Sequence, residues 1–230
     1  MQLRTITKFG TKFGAAVAVA ATVALSAQTV TAAETIRFAV TDVVGLENLQ
    51  REFGKFSAVL EKATDTKIKF YPVSNRTAAV EALKSKKIDF VLTGPAEYVV
   101  FQKRTKAYPV VGFSRPDYFS TIIVMADSGI STVKQLKGKK IAVGDVGSTS
   151  NHLAPLQVIA DLGLDPRKDL KIAHVSRNIA WVALKRGDIA AIGMNNGKFL
   201  GLRKKEKQLT PGAFRVIGRG PDLPNDVLLV

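Results

Sequence analysis

The sequence contains no cysteine. Disulfide bonds, a thiolate nucleophile and a Cys-ligated metal site are therefore excluded. Histidine is almost as scarce, because only His152 and His174 are present, and a metal site built mainly from imidazoles is not expected. The residues also supply no obvious Ser-His-Asp set. We therefore predict a protein that is not an enzyme, with no catalytic residues, no metal and no cofactor.

Acidic residues are few, since 19 Asp+Glu face 34 Lys+Arg and the formal net charge is +15. A positive balance raises the local concentration of anions, and nucleic acid, an acidic membrane surface or a small anionic ligand all fit it. The cations are scattered, however. The densest run, residues 203–207 (RKKEK), is interrupted by an acid and has no interleaved aromatic residues on which bases could stack. We expect a solvated helix face there and no binding of nucleic acid.

Long apolar segments are confined to the N-terminus. Residues 1–14 are basic, residues 15–27 are apolar and small, and residues 30–33 (VTAA) have the small side chains that a signal peptidase recognises. This order is typical of a secretory signal, and the apolar part is too short to span a bilayer comfortably, which disfavours an uncleaved anchor. We predict a signal peptide over residues 1–33, cleavage near Ala33 or Glu34, and a soluble periplasmic product.

Segments of strand character alternate with segments of helix character along the rest of the chain. Such alternation predicts an α/β fold with mostly parallel sheets flanked by helices. The pattern forms two series, residues 35–118 and 126–218, joined by an extended apolar segment. We therefore predict two lobes, with residues 34–120 plus 219–230 in lobe 1 and residues 121–218 in lobe 2.

The segment with the clearest chemical meaning is residues 144–151 (GDVGSTSN), which follows a predicted strand and opens a predicted helix. A helix N-terminus presents unpaired backbone N–H groups and partial positive charge. Three consecutive hydroxyls, from Ser148, Thr149 and Ser150, would complete a cradle for an oxyanion. The segment is neither a Walker A loop nor a dinucleotide fingerprint. Hydroxyl runs also serve simply to cap helices, so that interpretation stays open.

Six short segments in a fixed order resemble a known family. They are residues 93–98 (TGPAEY), 118–124 (YFSTIIV), 127–130 (DSGI), 136–139 (LKGK), 144–150 (GDVGSTS) and 223–226 (LPND). Together they look like the phosphate/phosphite/phosphonate ABC-transporter periplasmic substrate-binding family, and the resemblance runs from about residue 35 to the last residue. It implies a type II periplasmic binding fold, whose two lobes close over a ligand in the cleft between them.

The resemblance also implies site residues. Ser148, Thr149 and Ser150 match the cluster that holds the oxyanion head of the ligand. Asp226 matches an acidic cleft residue that can meet a ligand amine or share a proton with the oxyanion, although a simple turn residue after Pro224 fits the sequence equally well.

Three further candidates depart from the family pattern. Arg76 stands where members often have a tyrosine, and Thr93 stands where some members have one. Arg177 (or Ser176, if the register is shifted by one) stands where many have a histidine. Arginine recognises oxyanions through a planar, permanently charged guanidinium. If both arginines face the cleft, they favour a highly charged ligand or one without an amine. The alternative is that both are solvated surface residues.

The function implied by the resemblance is the solute-binding component of an ABC importer. Its ligand would be a phosphorus oxyanion (phosphonate, phosphite or phosphate), its partner a permease in the inner membrane, and its state monomeric. Two alternatives stay open, which are a ligand-sensing subunit of a membrane histidine kinase and a binder of sulfate or sulfonate. Because family members usually continue for several tens of residues, we expect lobe 1 to be C-terminally incomplete.

Overall fold

The computed structural model describes residues 34–230, and the predicted signal peptide lies outside the described residues. Between Glu34 and Val230, none of the helices combines the length and apolar character that crossing a bilayer requires. In chain order the elements are β1 (Thr35–Val40), α1 (Leu46–Thr64), β2 (Lys67–Phe70), α2 (Arg76–Lys84), β3 (Phe90–Thr93), α3 (Pro95–Thr105), β4 (Pro109–Phe113), β5 (Phe119–Met125), β6 (Lys140–Val143), α4 (Ala154–Asp161), β7 (Lys171–His174), α5 (Arg177–Lys185), β8 (Ala191–Asn195), α6 (Asn196–Lys205), β9 (Phe214–Asp222) and β10 (Asp226–Leu229).

The strands form two separate five-stranded sheets. The first has the order β2-β1-β3-β10-β4 and the second the order β7-β6-β8-β5-β9. The chain passes from the first sheet to the second between Phe113 and Phe119, and it returns between Asp222 and Asp226. We call the first sheet with α1–α3 the first lobe, and the second sheet with α4–α6 the second lobe.

Strand direction confirms the predicted α/β class and refines it. In each sheet four strands run the same way and one runs against them, so that two pairings are parallel and two antiparallel. The reversed strands are β10 and β5, each reached directly from the other lobe without an intervening helix. Since alternation predicts parallel pairing only where a helix connects the strands, these two reversals were not expected.

Each lobe has apolar clusters of its own. In the first lobe, one cluster centres on Ala39, Val91 and Phe101, and another on Phe38 and Leu49. The second lobe has an equivalent pair of clusters. Trp181 belongs to the buried core of the second lobe. Both sheets are thus covered by apolar contacts, as expected of sheets with helices on their faces.

Capping residues in the sequence define helix ends in both lobes. The Asn75 side chain accepts a hydrogen bond from the Ala78 N–H at 2.9 Å and so caps α2. Just after the C-terminal end of α5, Gly187 adopts a φ of 77°, which is the left-handed conformation that glycine tolerates best. The carboxyl ends of β1, β3, β6, β7 and β8 all lead into residues that line one cleft, the position at which open α/β sheets bind ligands.

Candidate functional site

A cleft of about 1240 Å³ lies between the two lobes. Five of the seven predicted site residues line it, namely Arg76, Thr93, Ser148, Arg177 and Asp226. Thr149 and Ser150 do not line it, although they neighbour Ser148 in the chain. The structure therefore brings most of the predicted set together and divides the three consecutive hydroxyls between different environments.

The backbone around Ser148 forms the predicted helix start, but with a wider first turn than expected. Residues Thr149–Leu153 make one π-helical turn before α4 begins, and the Leu153 N–H donates to the Ser148 carbonyl at 3.0 Å. Just before this turn, Gly147 adopts a φ of 88°, which an L side chain rarely does. The wide turn re-aims the side chains that follow Ser148, as π-bulges often do at functional sites.

Ser148 is the hydroxyl of this segment that is available in the cleft. Its residue is only 4% exposed, and its Oγ has one weak contact, with the Asn151 Nδ2 at 3.4 Å. Such an oxygen keeps its proton for a further acceptor. Ser148 can therefore donate a hydrogen bond to an oxyanion in the cleft.

Thr149 joins the lobes instead. Its Oγ1 donates to the Glu97 Oε2 at 3.0 Å and accepts from the Ala96 N–H at 3.0 Å. Both partners lie in the first turn of α3, in the first lobe. Ser150 is buried, and its carbonyl accepts from the Ser120 hydroxyl at 2.7 Å within the second lobe.

Glu97 and Arg76 form a buried ion pair beside this contact. The Arg76 Nε donates to the Glu97 Oε1 at 2.6 Å, and Arg76 also pairs with Asp42. Across the lobes, its Nη1 lies 3.9 Å from the Asp145 Oδ2. Burial raises the pKa of Glu97, and the contact with Arg76 only partly offsets this. Burial alone would lower the pKa of Arg76, but its carboxylate partners together raise it.

Asp226 is engaged by a residue that the sequence did not point to. Arg115 pairs with the Asp226 Oδ2, and its guanidinium lies 4.2 Å from the centre of the Tyr118 ring. Burial raises the pKa of Asp226, an effect that Arg115 opposes. The Asp226 Oδ1 is buried and has no hydrogen-bond partner among residues 34–230. The carboxyl group thus keeps one free acceptor beside the cleft.

Thr93 lies at the end of β3 and is almost fully buried. Its hydroxyl shares a hydrogen bond of 3.0 Å with the Thr41 hydroxyl, at the end of the neighbouring strand β1. The pair joins the two strand ends that form the first-lobe floor of the cleft. Thr93 therefore lines the cleft with a hydroxyl that already has a protein partner.

Three cationic side chains lie on the second-lobe wall of the cleft. Arg177 and Lys198 open the helices α5 and α6, and Lys205 closes α6. Partial burial lowers the pKa of Lys198, and the charges of Arg177 and Arg115 contribute to that lowering. Sequence reasoning missed Lys198. The available signal was its place in the first turn of the helix that follows a buried strand, three residues after the capping residue Asn195.

The assembled groups suit anion binding. A free serine hydroxyl, two helix starts and several cations face one cleft, and each of these favours negative charge. Within residues 34–230, no three side chains of the types that bind metals are clustered. The arrangement can therefore hold an oxyanion through hydrogen bonds and fixed charge.

Comparison with known proteins agrees with this geometry. A family model described as "ABC transporter, phosphonate, periplasmic substrate-binding protein" matches residues 38–230. The phosphate-import protein PhnD of Mycolicibacterium smegmatis is 28% identical over 171 residues, which are 71% of this chain and 53% of that protein. The phosphonates-binding periplasmic protein of Escherichia coli is 24% identical over 206 residues, which are 84% of this chain and 60% of that protein.

A solved structure shows the same fold. PhnD1 from Prochlorococcus marinus, in complex with methylphosphonate, superposes with a TM-score of 0.72 at 20% identity, covering 86% of this chain and 76% of that chain. This likeness confirms the predicted type II periplasmic binding fold. The chain spans between one half and three fifths of the two curated relatives described above.

Proposed function

Since the chain belongs to the family of phosphonate ABC-transporter periplasmic substrate-binding proteins, we propose that it is the solute-binding component of an ABC importer. Its ligand is a phosphorus oxyanion, a phosphonate, phosphite or phosphate, held in the cleft between the lobes. It acts in the periplasm, to which residues 1–33 direct it, and delivers its ligand to a permease in the inner membrane. It binds and releases the ligand without chemical change, and it works as a monomer.

The observation that carries this proposal is the position of Ser148. Its hydroxyl is free, nearly buried, and placed at a helix start in the cleft. Backbone N–H groups and the helix dipole at such a site favour an anion. Arg76, on the opposite wall, brings a guanidinium that is already paired with carboxylates of both lobes.

Closure of the lobes fits the same geometry. Thr149 and Asp145 of the second lobe contact Ala96, Glu97 and Arg76 of the first, so polar contacts already bridge the cleft beside Ser148. A ligand held between the lobes adds contacts that exist only in the closed form, and it therefore shifts the population towards that form. A closed form of this kind is what a permease can distinguish from the empty receptor.

The test is a thermal-shift screen of the purified protein with phosphate, phosphite, methylphosphonate and sulfate. A ligand that binds only the native state stabilises it by about 2.7 kcal/mol at a hundredfold excess over its Kd. We expect a shift with at least one phosphorus oxyanion. The shift should be lost in Ser148→Ala and kept in Ser74→Ala, a matched change at an exposed serine outside the cleft.

Two results would contradict the proposal. The first is the absence of any shift with the phosphorus compounds in a protein whose far-ultraviolet circular dichroism shows that it is folded. The second is a shift with sulfate alone, which would assign the cleft to sulfur oxyanions.

A further inference from the structure

The cleft is larger than an inorganic oxyanion requires. Its volume is about 1240 Å³, whereas pockets of about 300–1,000 Å³ already enclose drug-sized ligands. An oxyanion at Ser148 would leave most of this space unfilled. The side chains that line the remaining space therefore indicate which further chemical group the ligand has.

Cationic side chains outnumber carboxylates in the cleft, and some of the cations have no carboxylate partner in the described part of the chain. Six cations and four carboxylates line it, and each of those carboxylates lies within 4.0 Å of an arginine. Three cations are left over, Arg177, Lys198 and Lys205, because no carboxylate within residues 34–230 forms an ion pair with them. All three belong to the second-lobe wall.

The topology of the second sheet places two of these cations on either side of Ser148. Strand β6 leads to Ser148, and its two parallel neighbours are β7 and β8. Strand β7 leads to Arg177 and β8 leads to Lys198. Neighbouring strands lie about 4.8 Å apart, so both cations flank the oxyanion position within the reach of one small organic ligand.

Hydrogen bonds fix Lys198 relative to Ser148. The Asn151 Oδ1 accepts from the Asn195 N–H at 3.1 Å, and the Asn195 Oδ1 accepts from the Lys198 N–H at 3.1 Å. Asn151 lies in the same π-helical turn that follows Ser148. The two positions are therefore held in register within a single lobe, whatever the other lobe does.

The acid that could meet a ligand amine has one oxygen already occupied and, among the described residues, only Oδ1 free. Asp226 pairs with Arg115, and the charge of Lys198 also acts on it. A cationic ligand tail would enter a region where Arg115, Arg177 and Lys198 repel it. An anionic tail would instead find partners that lack carboxylates of their own.

We propose that Arg177 and Lys198 form a second anion subsite, and that the ligand is an organic phosphonate or phosphate carrying a second anionic group such as a carboxylate. This inference rests on the proposed function, because it assumes that the first oxyanion sits at Ser148. It names the ligand class that the receptor prefers.

Isothermal titration calorimetry at low ionic strength tests the inference with three probes that share one head group. They are 3-phosphonopropionate, propylphosphonate and 2-aminoethylphosphonate, with an anionic, an apolar and a cationic tail. Hydrogen bonds to charged groups predict that 3-phosphonopropionate binds about 10-fold or more tightly than propylphosphonate. The aminated probe should bind most weakly of the three.

Variants separate the second subsite from the first. Lys198→Met should remove the preference for 3-phosphonopropionate, because it lowers the affinity for that probe more than the affinity for propylphosphonate. Lys204→Met makes the same change on the same helix but outside the cleft, and it should preserve the preference.

Three results would overturn the inference. Equal affinity for 3-phosphonopropionate and propylphosphonate refutes the second subsite while the receptor function stands. An equal loss of both affinities in Lys198→Met assigns Lys198 to the phosphonate head instead. If no phosphorus compound binds, including phosphate and methylphosphonate, the proposed function fails and the inference fails with it.

Discussion

Replacing Arg76 with methionine will cost the protein more stability than replacing Glu97 with glutamine, although the two side chains form one ion pair. The asymmetry follows from their surroundings. The Glu97 residue is 6% exposed, and Arg76 is its one ion-pair partner within residues 34–230. Arg76 has two further carboxylate partners, Asp42 and Asp145.

Arg76→Met leaves a buried carboxylate without a counter-charge. Breaking a buried pair in this way costs about 3–5 kcal/mol. Burial already raises the pKa of Glu97, and the loss of Arg76 raises it further. A raised pKa in the folded state means that the native protein binds the proton more tightly, so stability falls as the pH rises from the unfolded pKa to the folded pKa. The cost of Arg76→Met should therefore be larger at pH 7 than at pH 4.

Glu97→Gln leaves a guanidinium that is still paired. The variant loses one charge-assisted hydrogen bond, worth about 1.5–3 kcal/mol, but it no longer buries an ionised carboxylate. The net cost should be about 2 kcal/mol or less. The double variant Arg76→Met/Glu97→Gln removes both charges of this buried pair, so it should be more stable than Arg76→Met alone.

Urea unfolding, followed by far-ultraviolet circular dichroism and by the fluorescence of Trp181, measures these differences. Trp181 is the single tryptophan of the chain and is buried in the second lobe. Arg104→Met is the control, because Arg104 pairs with Glu81 at 3.1 Å on the surface, and such pairs contribute only about 0.2–1 kcal/mol. The reasoning is refuted if Glu97→Gln costs as much as Arg76→Met, or if the double variant is the least stable.

Two further predictions concern packing and pH. Gly193→Ala should destabilise the protein by about 1–3 kcal/mol, because a Cβ there would lie 2.4 Å from the Pro155 Cβ. Gly112→Ala should not, since nothing lies within 4 Å of its Cβ position; urea midpoints that do not differ would contradict the packing argument. Lys185 and two N–H groups of other residues donate hydrogen bonds to Glu206 and lower its pKa to about 2. The stability that these contacts contribute is therefore fully present above the unfolded pKa of 4.5, and it is lost as the pH falls towards 2. The difference in urea midpoint between wild type and Glu206→Gln should therefore shrink over that range, and a constant difference would refute it.

The family resemblance pointed to Thr93, Ser148 and Arg177, and all three line the cleft because they lie at or after the carboxyl ends of parallel strands. Thr93 ends β3, Ser148 follows β6 and Arg177 follows β7. Since parallel strands end at one edge of a sheet, residues that are distant in the chain meet there. A pattern of alternating strands and helices is enough to place them at that edge.

The sequence could not predict which hydroxyl faces the cleft. Consecutive residues of a helical turn point about 100° apart, so the side chains of Ser148, Thr149 and Ser150 leave the helix start in different directions. The π-helical turn that decides between them depends on tertiary contacts, such as the Asn151 side chain that accepts from the Asn195 N–H. Glu97 and Arg115 were missed for a related reason, since their partners are distant in the chain: Thr149 lies 52 residues from Glu97, and Asp226 lies 111 residues from Arg115.

The different partners of Ser148 and Thr149 have a consequence for ligand binding. A hydroxyl can donate only one hydrogen bond, and the Thr149 hydroxyl donates it to the buried carboxylate of Glu97. Before Thr149 can donate to an oxyanion, that hydrogen bond must break, and Glu97 must lose a donor at a position where burial already disfavours its charge. Ser148 carries no such penalty, because its Oγ has only a weak contact. Ligand binding through Ser148 and lobe contact through Thr149 are therefore compatible, whereas binding through both hydroxyls would weaken the bridge that holds the lobes together.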